Sequence, residues 1–198
     1  KAFSFASAAV VLLAGNALAG QDWQLDKNHT QIGFAVKHLG ITTVRGVFKD
    51  FDASLKADAD GKVTQIKATA KAASIDTGIN ARDNHLRSDD FFSAAKYPLL
   101  TLESSKIQWK GKTFTATANL TIRDVTKPVV FTGRLLGVHK VNLGHGDQMR
   151  AGYEATATID RKAFGLSFNM MAEGISVVAP DVKLVLEVQI SRPLAPAI

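Results

Sequence analysis

No cysteine occurs anywhere in the 198 residues. That absence removes disulfide-stapled scaffolds and thiolate zinc sites, both of which need sulfur. It does not by itself reveal a redox compartment. Blocks of like charge are missing too. Lys and Arg number 24 against 18 Asp and Glu, a formal net charge of +6, yet no five or six basic residues stand together. Charge is therefore only weak support for an anionic partner. At 46% hydrophobic residues the chain is too apolar for disorder, and its length suits one domain with an appendage.

Only one long apolar run is present. After Lys1, the stretch from Ala2 to Leu18 carries no charge and a single amide, Asn16, and it ends in Ala17-Leu18-Ala19 before Gly20-Gln21-Asp22-Trp23. Such a run closed by an A-x-A pattern predicts a secretory signal peptide over residues 1–19, cut after Ala19. The competing reading is an uncleaved anchor, for which the run is a little short. The domain then occupies residues 20–198 in an exported compartment.

Beyond that point alternation dominates. Phe114, Ala116, Ala118, Leu120 and Ile122 alternate with Thr, Asn and Arg between Thr113 and Arg123, the pattern of a half-buried strand. Val182, Leu184, Leu186, Val188 and Ile190 repeat it near the end of the chain, with Val185 as the exception. Similar stretches begin at Trp23, Gln31, Val44, Lys62, Leu99, Pro128 and Arg150, so about eight or nine strands are expected. Asp60-Gly61, Lys110-Gly111-Lys112, Arg123-Asp124 and the loop from Asn142 to Asp147 supply the turns. Phe48 and Phe51 differ in parity, which predicts a β-bulge near Lys49-Asp50.

One segment breaks the alternation. Asn80 is suited to cap a helix containing Asp83, and Ser88 a second turn begun by Asp89 and Asp90, with Pro98 ending the segment. Many antiparallel strands with one helical interruption predict a mainly β fold, a barrel or a nearly closed sandwich.

The expected inward positions are undersized. Ala68, Ala70, Ala72, Ala116, Ala118, Ala155 and Ala157 stand where a packed barrel would carry Val, Ile or Leu. Small inward residues either leave room for a ligand or permit close approach of a helix or the opposite sheet. The first reading gives a long, narrow, apolar tube suited to an extended lipid chain. Burial of each methylene contributes roughly 0.8 kcal/mol, so such a tube discriminates chain length and thickness.

Several ordered stretches also resemble a known family. They are His38-Leu39-Gly40, Gly46-Val47-Phe48-Lys49-Asp50-Phe51, Ile75-Asp76-Thr77-Gly78, the run Arg82 to Phe92, Lys96-Tyr97-Pro98, the run Leu120 to Val129, and Ala163-Phe164-Gly165. Together they resemble the YceI family of periplasmic polyisoprenoid-binding proteins, from about Trp23 to Ile190. The resemblance implies an extended, lipocalin-like antiparallel β-barrel of about eight strands with a short helical segment near residues 80–95. It implies a periplasmic, non-enzymatic carrier or store enclosing a quinone tail or polyprenyl phosphate, with fatty acids or their amides as alternative cargo. Leu166 to Val178, where family members commonly vary, is read as a lid.

The expected ligand-contacting residues are Phe34, Val36, Phe48, Phe114, Ala116, Ala118, Phe131, Ala155 and Leu186 along the tube. Phe168 and Met170 are placed at its entrance, and His38, Arg45 and His85 are candidates for a polar head group. Arg and His suit a quinone carbonyl or phosphate, but the same residues equally suit a structural cap, as do Arg82, Asp83 and Arg87 through salt bridges and hydrogen bonds. No catalytic residue, metal or cofactor is expected. His139, His145 and Asp147 fit no standard ligand spacing, no G-x-S-x-G elbow occurs, and no aromatic-interleaved basic strip suits nucleic acid. The competing classes are an envelope interaction protein with a filled core and, less favoured, a lipid-modifying enzyme using His38 or His85. Transient contact with a membrane surface and a homodimer are left open.

Overall fold

The computed structural model describes residues 21–144 and 146–194; the expected signal peptide and His145 lie outside them. Thirteen strands and one helix follow in order among these residues. They are β1 (Gln21–Leu25), β2 (Gln31–His38), β3 (Thr42–Phe48), β4 (Phe51–Ala57), β5 (Val63–Lys71), β6 (Ile75–Asp76), α1 (Asn80–Arg87), β7 (Leu99–Lys110), β8 (Thr113–Ile122), β9 (Val125–Asn142), β10 (Asp147–Asp160), β11 (Met171–Ala172), β12 (Ile175–Ser176) and β13 (Val178–Pro193).

Eight of these positions close into an antiparallel barrel: β1, β4, β5, β7, β8, β9, β10 and β13, with β13 returning to β1 through Leu25↔Ile190. β2 continues β1 after a 3-10 turn at Lys27–His29 and pairs with the other end of β13, for example Phe34↔Leu184. β3 leads into β4 across Lys49-Asp50, where the difference in Phe parity predicts a bulge. β6 likewise follows β5 after the turn Ala72–Ser74. The last two breaks lie side by side, joined by Lys49 N–H to the Ser74 carbonyl (3.1 Å) and Lys71 N–H to the Asp50 carbonyl (2.8 Å). Facing breaks let the strands bend together, which a barrel needs in order to close.

The two ends are covered in different ways. At one end the staves close on themselves, with Trp23, Leu55, Ala57, Val63, Leu135, Ala151, Tyr153 and Ile190 forming a buried plug. The Arg192 guanidinium lies over the Trp23 ring, 5.3 Å from its centroid. At the other end the cover comes from outside the barrel: Leu86 of α1, Phe91 and Phe92 after it, and Phe164, Leu166 and Phe168 after β10 pack onto the inner faces of β8, β9 and β10.

The helix differs in detail from its sequence expectation. Asn80 is its first helical residue and Ile79 its cap, with no side-chain capping bond. Asp83 instead ties the helix to the segment before it: buried to 3% exposure, its Oδ1 accepts from the Thr77 N–H (2.9 Å) and hydroxyl (2.5 Å). Ser88 ends the helix, its hydroxyl donating to the His85 carbonyl (2.7 Å), and a second turn does follow through Asp89 and Asp90, closed by the Phe91 N–H on the Ser88 carbonyl (3.1 Å). Arg82 donates to Thr77, and Arg87 to the carbonyls of Ala73 and Ile75. The cap is therefore held by hydrogen bonds to backbone and Thr77, and no carboxylate–guanidinium pair joins these three residues.

Near the self-closed end, Asp26 ties three elements together. Its carboxylate accepts from the Asn28 N–H (3.2 Å), His29 Nδ1 (3.0 Å), Gln189 Nε2 (2.8 Å) and Arg150 (3.3 Å). Burial pushes this carboxyl up, but hydrogen bonds from His29 and Gln189 and the His29 charge outweigh it and hold the pKa below the ordinary 3.8. A carboxylate favoured in the folded state stabilises above its unfolded pKa, and that stabilisation is lost as pH falls through the lower folded value. Asp26→Asn should therefore be less stable than the unsubstituted chain at pH 6, with the gap narrowing below about pH 4. Urea unfolding across that range measures the gap; a constant difference would assign Asp26 no linkage.

Candidate ligand-binding cavity

Alternation places one face of every barrel strand inward, and the inward faces do not meet. They enclose a cavity of about 190 Å³. A single water needs about 10–15 Å³ on the same measure, so this is built space rather than a packing fault. Along β8 the alternate residues Phe114, Ala116, Ala118, Leu120 and Ile122 all line it. Eight residue steps at about 3.3 Å each give a run of about 26 Å, so the cavity is long and narrow.

Small residues make that room. Ala53, Ala68, Ala70, Ala116, Ala118 and Ala155 line it from four different strands. No charged side chain lines it. Its few polar groups are largely engaged in the wall: the Tyr153 hydroxyl donates to the Gly61 carbonyl, Trp109 Nε1 to the Val63 carbonyl (2.9 Å), and Ser104 Oγ accepts from the Ile66 N–H (2.9 Å). Burial strongly raises the Tyr153 phenol pKa, so it remains a neutral donor. Such an interior has nothing with which to hold an ion or carry out acid–base chemistry, and much with which to cover hydrocarbon.

The expected site residues divide into two groups. Phe48, Phe114, Ala116, Ala118, Phe131, Ala155 and Leu186 line the cavity. The others lie toward or beyond the lidded end. The Phe34 ring lies above Gly46 and 6.0 Å from Phe48, closing a corner instead of lining the void. Val36 sits farther along β2, between Val44 and Val182. His38 ends β2 opposite Thr42 and Val178, and Arg45 is exposed on the outer wall of β3. His85 packs edge-on against Phe91 (5.1 Å) and Phe168 (4.9 Å) while its Nε2 meets Asp90 (2.8 Å). That histidine–acid pair is on the surface, with 42% and 60% of the two side chains exposed. Met170 lies beyond Phe168 and is also exposed.

Two features escaped the sequence reading. Ile107 and Trp109 line the cavity together with Leu100, Leu102 and Ser104, because an extra residue between Ser104 and Lys106 shifts the β7–β8 register. The signal was present as a change of parity, even numbers before Ser105 and odd after it. Arg161 carried no such signal. It is buried to 3% exposure and donates to the carbonyls of Leu166 (2.5 Å), Val178 (2.9 Å) and Ala179 (3.0 Å), clamping the covering segment onto β13. Burial pushes its pKa down, and three carbonyl partners compensate the buried charge.

The alanine-lined barrel with its covering helix matches the YceI-like domain over residues 23–190. The chain belongs to the YceI family. A UPF0312 protein of Pseudomonas paraeruginosa is 35% identical over 189 residues, covering 94% of each chain. Among solved structures, the Campylobacter jejuni YceI protein is 33% identical with a TM-score of 0.69, covering 88% of this chain and 99% of that one. A polyisoprenoid binding domain from Saccharophagus degradans shares the YceI-like fold at 15% identity and a TM-score of 0.58, covering 86% of this chain and 98% of that one. The lipocalin-like, mainly β architecture is thus common to this chain and its relatives.

Proposed function

We propose that this protein encloses the chain of an isoprenoid lipid, a quinone tail or polyprenyl phosphate, and carries or stores it in the periplasm without transforming it. The uncharged, alanine-lined cavity supports this reading most strongly. A methyl-branched isoprenoid is thicker than a straight acyl chain, and alanines on four strands provide width where Val or Leu would remove it. The polyisoprenoid binding domain that shares the fold supports the same class of ligand. A filled-core interaction protein would have little internal volume, against the 190 Å³ here. A lipid-modifying enzyme would need a histidine and an acid in contact inside the cavity, whereas His85 and Asp90 meet at the surface.

Bound chains gain roughly 0.8 kcal/mol per buried methylene, so cargo should survive purification. Organic extraction of the purified protein followed by mass spectrometry should recover an isoprenoid lipid in near-stoichiometric amount. Straight-chain fatty acids or amides would select the alternative cargo. Repeatedly empty preparations would overturn the carrier reading.

A further inference from the structure

A barrel that closes one end with its own staves can open there only by breaking strand pairing. The lidded end can open by moving α1 and the segment after β10, and the surface around that end is unusually apolar. Nine large hydrophobic side chains are exposed among the described residues, and four of them, Ile41, Met170, Met171 and Ile175, occupy two adjoining tips. Ile41 is the most exposed, at 77%, in the turn between β2 and β3. The other three belong to the β11–β12 hairpin or immediately precede it.

Backbone bonds hold the tips together. Leu39 N–H donates to the Val177 carbonyl (3.1 Å), Val177 N–H to the Met170 carbonyl (3.0 Å), and His38 pairs with Val178. The hairpin turns at Glu173 and Gly174, both at positive φ (49° and 78°), the primed turn that keeps a two-residue loop tight. Met171 and Ile175 lie on opposite faces of this little ribbon, since Met171 pairs with Ser176 and Ile175 with Ala172. A protein partner would cover one face and leave the other wet. A bilayer surrounds both.

Charge near the tips is consistent with that occupant. Lys183, Ala35 and Arg45 stand in register across β13, β2 and β3, with Lys37 two residues farther along β2. Lys37, Arg45 and Lys183 make no salt bridge with a carboxylate among the described residues, while the acids nearby include Glu173, Asp181 and, paired with Asp181, Asp160. We infer that the β2–β3 turn and the β11–β12 hairpin dock the lidded end onto an anionic lipid bilayer, inserting Ile41, Met171 and Ile175 while Lys37, Arg45 and Lys183 meet lipid phosphates. This rests on the cargo reading above, because a bilayer is where a long isoprenoid chain resides.

The chain has no cysteine, so single substitutions accept one label each. Ile41→Cys, Met171→Cys and, in the turn after β9, Leu143→Cys in the full chain would each carry a nitrobenzoxadiazole dye. On vesicles of phosphatidylglycerol and phosphatidylcholine, emission should rise and shift to the blue at positions 41 and 171 and stay unchanged at 143. An equal response at 143, or none at 41 and 171, overturns the docking surface, whatever the apolar N-terminal run does. Adding Lys37→Glu with Arg45→Glu should weaken the response by on the order of tenfold or more; an unchanged vesicle affinity would overturn the anionic part. Extraction of the same preparations reports cargo separately, so an empty barrel that docks and a loaded one that does not are distinct results.

Discussion

Ala118→Phe is expected to empty the barrel while leaving it folded. Ala118 is only 1% exposed and lies on β8 opposite Ser104 and Val129, with its methyl group on the cavity wall. Adding a ring to a packed core costs typically 1–3 kcal/mol, because neighbours must move. Here the ring has void in front of it, midway along a cavity that continues to Ala116 on one side and Leu120 on the other. The blockage falls where a chain must pass, so extractable lipid should drop to near zero. Loss of ligand itself lowers apparent stability. The melting temperature must therefore be compared with that of delipidated protein, and the two should agree within a few degrees. A variant that retains its lipid, or one that unfolds, would place Ala118 in a packed interior.

The second large effect should come from a residue with no side chain. Gly133 on β9 pairs with Phe114 and Ala155. A Cβ there would press into the Glu154 carbonyl oxygen and the Phe114 ring. The ring can shift; the carbonyl belongs to the β9–β10 pairing and cannot move without opening it. Gly133→Ala should therefore lose about 3 kcal/mol, toward the top of the overpacking range. For a chain of this size that lowers the melting temperature by about 6–12 °C. Combining it with Phe114→Leu should recover only part of the loss, because the carbonyl contact persists. Full recovery would show that the ring alone sets the cost, and no loss in the single variant would mean that β9 is looser than its pairing indicates.

These two positions show what was legible beforehand. Ala118 stood out because alternation made it inward and its size made it anomalous. Gly133 is an ordinary strand glycine until Phe114 and Glu154 are folded around it. Asn80 looked like a helix cap from its type and position, yet it is the first helical residue and makes no capping bond, while Asp83 bonds to Thr77 just before the helix. His85 and Asp90 could be read as mouth or cap. Only the packing of Phe91 and Phe168 against the imidazole puts the pair on the outside of the lid.

The sequence alone determined most of the strands and of their inward faces, the break at Lys49-Asp50 and the shortage of inward bulk. Period-two alternation is a local property, and it survives in any fold that buries one face of the strand. The tertiary structure decided which inward residues face a void and which meet a plug or lid. It also brought the Arg161 clamp to its three carbonyls and the tip at Ile41 to the hairpin at Met171. Those contacts are fixed by closure and register of the sheet, and no spacing along a single strand encodes them.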